Sequence, residues 1–258
     1  MRHHLAGLAA VWLVVLLAPG SASGEAAAPV LDAKAILDHV DDLFRGKSSR
    51  GTFTMKVVTQ HYTREMTLEA WSKGEEYSLV RILLPEKEKN TATLKAENNI
   101  WNYLPKVNRV IKVPSSMMGG SWMGSHFTND DLVKESRMAT DFTYDISFHG
   151  ERGGQNVIEL TLVPNPDAAV VWGKIIAVVR DDNWLPVSVE YYDEDLVKTR
   201  TMTFSDVRPL GGRTIPAAMR MTPADKPQEY TEVVYQHLEF DVELSDGLFS
   251  LRSLQQQK

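Results

Sequence analysis

Two hydrophobic periods divide the chain. Between Asp32 and Gly46 the apolar residues are Ile36, Leu37, Val40, Leu43 and Phe44, spaced i, i+1, i+4, i+7 and i+8 as on one helix face. Lys34, Asp38, Asp41 and Asp42 occupy the opposite face, with Asp32 placed to cap the start and Arg45-Gly46 to end it. From Gly51 onward the period is two. Phe53, Met55 and Val57 alternate with Thr52, Thr54 and Lys56. Phe142, Tyr144, Ile146 and Phe148 alternate with Thr143, Asp145 and Ser147, and Ile158, Leu160 and Leu162 with Val157, Glu159 and Thr161. Such alternation marks antiparallel strands with one dry face. Turn-forming groups at Lys73-Gly74, Glu97–Asn99, Gly153-Gly154, Asp181–Asn183, Asp193–Asp195 and Gly211-Gly212 divide the region into about ten or eleven strands. The pattern predicts a mainly β protein: one large curved sheet with an N-terminal helix leaning on it.

The exception runs from Pro114 to Met138. Ser115 to Phe127 shows no alternation and is rich in Met, Gly and Ser. Thr128, with Asp131 three residues on, predicts the start of a short helix over Asn129–Glu135. Met117, Met118, Trp122, Met123 and Phe127 are too apolar for a free loop, while Gly119, Gly120 and Gly124 leave the backbone permissive. This segment reads as a lid over the sheet. The alternative is that it plugs the sheet's open end as core.

Some strands are apolar on both faces, as in Ser78–Leu84 and Ile175–Val179. A half-open antiparallel barrel, with the helix and the lid across its mouth, would use both faces around an apolar cavity. Phe142, Tyr144, Ile146 and Phe148 would then point inward together, with Trp101 and Tyr103 at the rim or wall. An acyl chain in such a cavity gains about 0.8 kcal/mol per CH₂.

The N-terminus reads as a secretory signal peptide: Met1-Arg2-His3-His4, an uncharged run from Leu5 to Ala18, then Pro19-Gly20 and small residues to Gly24. Cleavage falls near Ser23 or Gly24, leaving one domain over residues 25–258. The net charge of -6 disfavours nucleic acid as a partner. With no cysteine, thiol catalysis, disulfides and Cys-ligated zinc fall together. The histidines left after cleavage, His39, His61, His126, His149 and His237, form no metal-spaced pair, and no nucleophile elbow or phosphate-binding loop is present. No enzyme, cofactor or metal is predicted.

Three strings carry a resemblance: KNTATLK at Lys89–Lys95, IWNYLPKVNRVIKVP at Ile100–Pro114 and SWMGSHFTNDDL at Ser121–Leu132. Together they make the W-x-Y-L-P, R-x-I and G-S-x-F-T-x-x-D-L pattern of the outer-membrane lipoprotein-sorting family, the longer relatives of the lipoprotein carrier LolA. Asn90, Trp122, His126 and Asn129 depart from that pattern. The resemblance implies an incomplete β-barrel whose apolar concavity holds acyl chains. The chain is then a periplasmic, monomeric, non-catalytic carrier of a lipid or lipoprotein, working between an inner-membrane transporter or exporter and an outer-membrane acceptor. Trp101, Tyr103, Met117, Met118, Trp122, Met123, Phe127, Phe142, Tyr144, Ile146 and Phe148 are its predicted cavity and lid residues. The rival expectation is an envelope accessory or sensor protein that binds a membrane exporter or signalling partner through the same surface.

Overall fold

The computed structural model describes residues 31–134, 138–168 and 170–255; the predicted signal peptide, residues 1–24, lies outside them. The predicted helix forms as α1, Ala33–Arg45. Asp32 Oδ1 accepts from the amides of Lys34 at 2.9 Å and Ala35 at 3.3 Å, satisfying donors that the first turn leaves unpaired. Gly46, at φ 60°, ends the helix in the left-handed region where a side chain is disfavoured. Ile36, Leu37 and Leu43 are buried, on the face that the spacing predicts.

The strands are β1 (Ser48–Val58), β2 (Thr63–Lys73), β3 (Tyr77–Leu84), β4 (Ala92–Ala96), β5 (Asn99–Leu104), β6 (Arg109–Lys112), β7 (Phe142–Arg152), β8 (Gln155–Pro164), β9 (Lys174–Arg180), β10 (Pro186–Tyr192), β11 (Lys198–Leu210), β12 (Arg213–Pro223) and β13 (Tyr230–Phe240). All pair antiparallel in one sheet of order β6-β5-β4-β3-β2-β1-β13-β12-β11-β10-β9-β8-β7. The sheet is open, a half-barrel as the pattern predicts. Thirteen strands exceed the predicted ten or eleven because β4, β5 and β6 are short. In β4, moreover, Ala92, Thr93, Leu94 and Lys95 are all buried, so no alternation betrays it.

This order explains the segment between β6 and β7. The chain winds from the central β1 out to one edge at β6, then resumes at the opposite edge with β7 and winds back until β13 pairs with β1. Laid flat, thirteen strands span about 58 Å. Residues 113–141 therefore connect the two free edges, and the direct route lies across the inner face.

The outer face carries its own hydrophobic layer. The turn Asp246–Phe249 and the short helix α4 (Leu251–Gln255) place Leu248, Phe249 and Leu254 on Trp71, Leu79, Ala92, Leu94 and Tyr103, with Trp101 alongside. The buried Arg81 donates to the carbonyls of Ser253 at 3.1 Å and Leu254 at 3.5 Å, pinning the C-terminal turn. This corrects one expectation. Trp101 and Tyr103 belong to this outer layer and not to the cavity rim. Tyr103 is an odd number of residues from Ile100, which faces inward against Met118 and Leu132 of the crossing segment.

A second correction lies in β7. Phe142, Tyr144 and Ile146 pair with Pro164, Leu162 and Leu160 on the inner face, but a bulge between Ile146 and Phe148 puts Phe148 opposite Glu159. One extra residue reverses the facing of all that follows. Phe148 consequently lies outside, under the Arg152 guanidinium at 4.4 Å from its ring centre.

Candidate functional site: a strapped cavity

The segment joining the edges is docked on the inner face at β4, β2 and β13. Trp122 Nε1 donates to Thr93 Oγ1 of β4 at 3.1 Å. Arg64 of β2 and the Tyr62 hydroxyl donate to the carbonyls of Met123 and Gly124, at 2.5 and 2.9 Å. Met123 and Gly124 are both left-handed, at φ 51° and 69°, which exposes those carbonyls in succession. The His126 amide donates to Thr231 Oγ1 of β13 at 2.9 Å, and its Nδ1 lies 2.8 Å from the same hydroxyl. Asn129 Nδ2 ties the segment to itself through the carbonyls of Met117 and Gly120, at 3.1 and 3.2 Å. Three departures from the family pattern, Trp122, His126 and Asn129, are thus all bonding positions of the strap. The fourth, Asn90, stands at φ 65°, where glycine is also favoured.

The strap ends in the predicted capping box. The Thr128 amide donates to Asp131 Oδ2 at 2.7 Å and the Asp131 amide to Thr128 Oγ1 at 3.2 Å, opening the short helix α2 (Asp131–Lys134). Asp131 also takes a bidentate pair from Arg200 of β11, at 2.8 and 2.5 Å, with both side chains under a tenth exposed. The Arg200 guanidinium lies 4.5 Å from the ring centre of Trp172 and 4.4 Å from that of Tyr191. A planar cation between two rings and a carboxylate is a latch with little freedom to rearrange.

Beside the strap lies the cavity. It holds about 420 Å³ between α1, the second strap helix α3 (Met138–Asp141) and the inner face of β9 to β13. Leu37, Val40 and Phe44 form its roof, and Val189, Met202, Phe204 and Met219 its floor. A second chamber of about 230 Å³ opens between the end of α1, α2 and β1 to β4, and shares Phe44, Arg45, Glu75 and Tyr235 with the first. The second chamber is mixed: Lys95, Arg45, Ser49, Ser72 and Ser78 line it together with Phe44, Trp71, Tyr77 and Leu238. Burial raises the Asp41 carboxyl to about 6 against the pull of Arg45, which donates to it at 2.9 Å. Burial, reinforced by the Arg45 charge, lowers the Lys95 ammonium to about 8.

The predicted site residues divide accordingly. Trp122 and Phe127 are buried, 6% and 8% exposed, in the docked strap, and Met118 packs on Ile100 and Val113. Met117 stands 59% exposed. Phe142 lines only a small crevice with Trp172 and Tyr191 near the latch. None of the eleven lines the 420 Å³ cavity. The residues that do so were legible as the inward phase of β11 to β13 (Met202, Phe204, Met219, Tyr235) and as the helix stripe Leu37, Val40 and Phe44. Among the described residues no cluster of three His, Asp or Glu is placed to hold a metal ion, and no helix is long and apolar enough to cross a membrane.

This open antiparallel half-barrel is a fold shared with solved structures, among them a LolA superfamily protein. It superposes with TM-score 0.74 on an outer membrane lipoprotein-sorting protein domain from Vibrio parahaemolyticus, at 21% identity over 86% of this chain and 98% of that one. A DUF1329 family protein from Desulfovibrio piger gives 0.76, at 20% identity over 86% and 97%. A LolA superfamily protein from Nitrosomonas europaea gives 0.73, at 20% identity over 86% and 99%. A family model described as "uncharacterized protein" matches residues 74–256, and the chain belongs to that family. Comparison with curated proteins gives no match.

Proposed function

We propose that this protein is an exported, non-catalytic carrier that shelters acyl chains of a lipid or lipoprotein. The observation that carries the reading is the apolar cavity of about 420 Å³ between α1 and the floor of β9 to β13, within the roughly 300–1,000 Å³ of ordinary ligand pockets. Its roof and floor offer methyl, methylene and ring surface, with Lys34, Asp38, Asp41, Arg45 and Glu75 also in the lining, and chain burial on the apolar part draws on about 0.8 kcal/mol per CH₂. A sixteen-carbon chain would gain on the order of 10 kcal/mol, so handover requires a partner that competes for the chain. The partners fitting this role are an inner-membrane transporter as donor and an outer-membrane acceptor, with the carrier a periplasmic monomer between them. Lipidomic mass spectrometry of protein purified from the cell envelope without detergent tests the reading. Stoichiometric recovery of one acyl class supports it, and lipid-free protein overturns it.

A further inference from the structure

The second chamber, adjoining the acyl cavity, has a chemistry of its own. Its walls and those of the apolar cavity share Phe44, Arg45, Glu75 and Tyr235, so the two spaces abut at these side chains. Its polar lining is the Lys95 ammonium, which donates to the Glu75 carbonyl, the Arg45 guanidinium, the Ser78 hydroxyl, and the hydroxyls of Ser49 and Ser72, which bond each other at 2.7 Å. Phe44, Trp71, Tyr77 and Leu238 stand beside them. Of the two carboxylates that line it, Asp131 is held by Arg200 and Glu75 remains. Lys95 is 5% exposed, an unusual burial for a lysine. Arg45 gives one nitrogen to Asp41, while its buried Nε has no hydrogen-bond partner within the protein. A buried N–H without an acceptor costs free energy that an incoming oxyanion would recover.

We infer that this chamber is a head-group subsite, and that the cargo is an acyl amphiphile ending in an oxyanion, either a phosphate or a carboxylate. The inference rests on the carrier reading and narrows it. An oxyanion near Lys95 and Arg45 meets two cations that repel each other and are countered by Glu75, Asp41 and Glu76, and charge-assisted hydrogen bonds are roughly twice as strong as neutral ones. The repulsion is visible in Lys95, whose ammonium is held down first by burial and then by Arg45. A neutral glycerol head would satisfy hydroxyls but leave that repulsion in place. The chain end would lie under Leu37 and Val40, and the head beside Leu132 and Asp131 of the strap.

The test compares three ligands of one chain length on delipidated protein at pH 7 by titration calorimetry: oleate, oleoyl lysophosphatidate and uncharged monoolein. The proposal expects at least one anion to bind about tenfold or more tighter than monoolein, and the better anion identifies the head as carboxylate or phosphate. Lys95→Met should bring the anions down to the level of monoolein measured on the same variant, while Lys95→Arg keeps the preference. Equal binding of all three by the wild type, or a preference that survives Lys95→Met, overturns the subsite and leaves the carrier standing. Binding of none overturns both. The wild-type comparison needs no variant and decides the point alone if Lys95→Met does not fold.

Discussion

Arg200 shows how much of this structure rests on single side chains. Its guanidinium is clamped by Asp131 and by the rings of Trp172 and Tyr191, in a place with almost no access to water. Removing one member of such a pair leaves the other charged and unsolvated, at a cost of about 3–5 kcal/mol. Asp131→Ala should therefore lower unfolding stability by about that amount, read from urea midpoints. A loss below about 1 kcal/mol, the scale of an exposed pair, would mean that the latch is solvated. Lys95 gives a pH signature of definite sign. It loses its proton at about 8 in the fold, against 10.5 for the free side chain. Between those values the unfolded chain holds the extra proton, so stability rises as pH climbs from 8 toward 10.5. Lys95→Met should abolish that rise in urea titrations at pH 7.5 and 9.5, and an unchanged rise would place its origin elsewhere.

At the scale of elements, β7 separates what alternation can and cannot reveal. Phe142, Tyr144, Ile146 and Phe148 look alike in the sequence, yet the bulge after Ile146 sends only Phe148 outward. Phe142→Asp should cost at least about 3 kcal/mol, the loss of a buried phenyl before any charge is counted. Phe148→Asp forfeits mainly the Arg152 contact, about 0.5–1 kcal/mol. Equal melting temperatures for the two would refute the register. The strap makes a second prediction. Trp122 is bonded to Thr93 and 6% exposed, so with the other tryptophans replaced by Phe its emission should be blue-shifted in the free protein. Red-shifted emission without ligand would contradict the docked strap. The helix caps, the capping box at Thr128 and the strand faces of β1 and β8 were readable because each is settled by neighbours within a few residues. The outward facing of Trp101, Tyr103 and Phe148 was not, since it depends on a C-terminal helix packing on the outer layer and on one inserted residue in a ladder.

For the whole molecule, strand order decides where function can lie. Because β1 and β13 meet at the centre and the free edges are β6 and β7, the direct connection crosses the inner face, and the cavity is the space that α1 and α3 enclose against β9 to β13. The sequence shows that a large curved sheet exists but holds no local signal for this order, which long-range pairing determines. That is why the predicted cavity residues cluster on the strap and on β5 and β7, while the observed floor lies on β9 to β13. The claim that this floor holds an acyl chain is tested most directly by native mass spectrometry of the intact protein from the envelope, alongside Met219→Trp, which places an indole in the cavity from a half-buried floor position. A carrier should give a wild-type species heavier by the mass of one acyl amphiphile, and a Met219→Trp protein that folds but travels bare. Wild-type protein at its apo mass, or equal lipid on the filled variant, would contradict the claim.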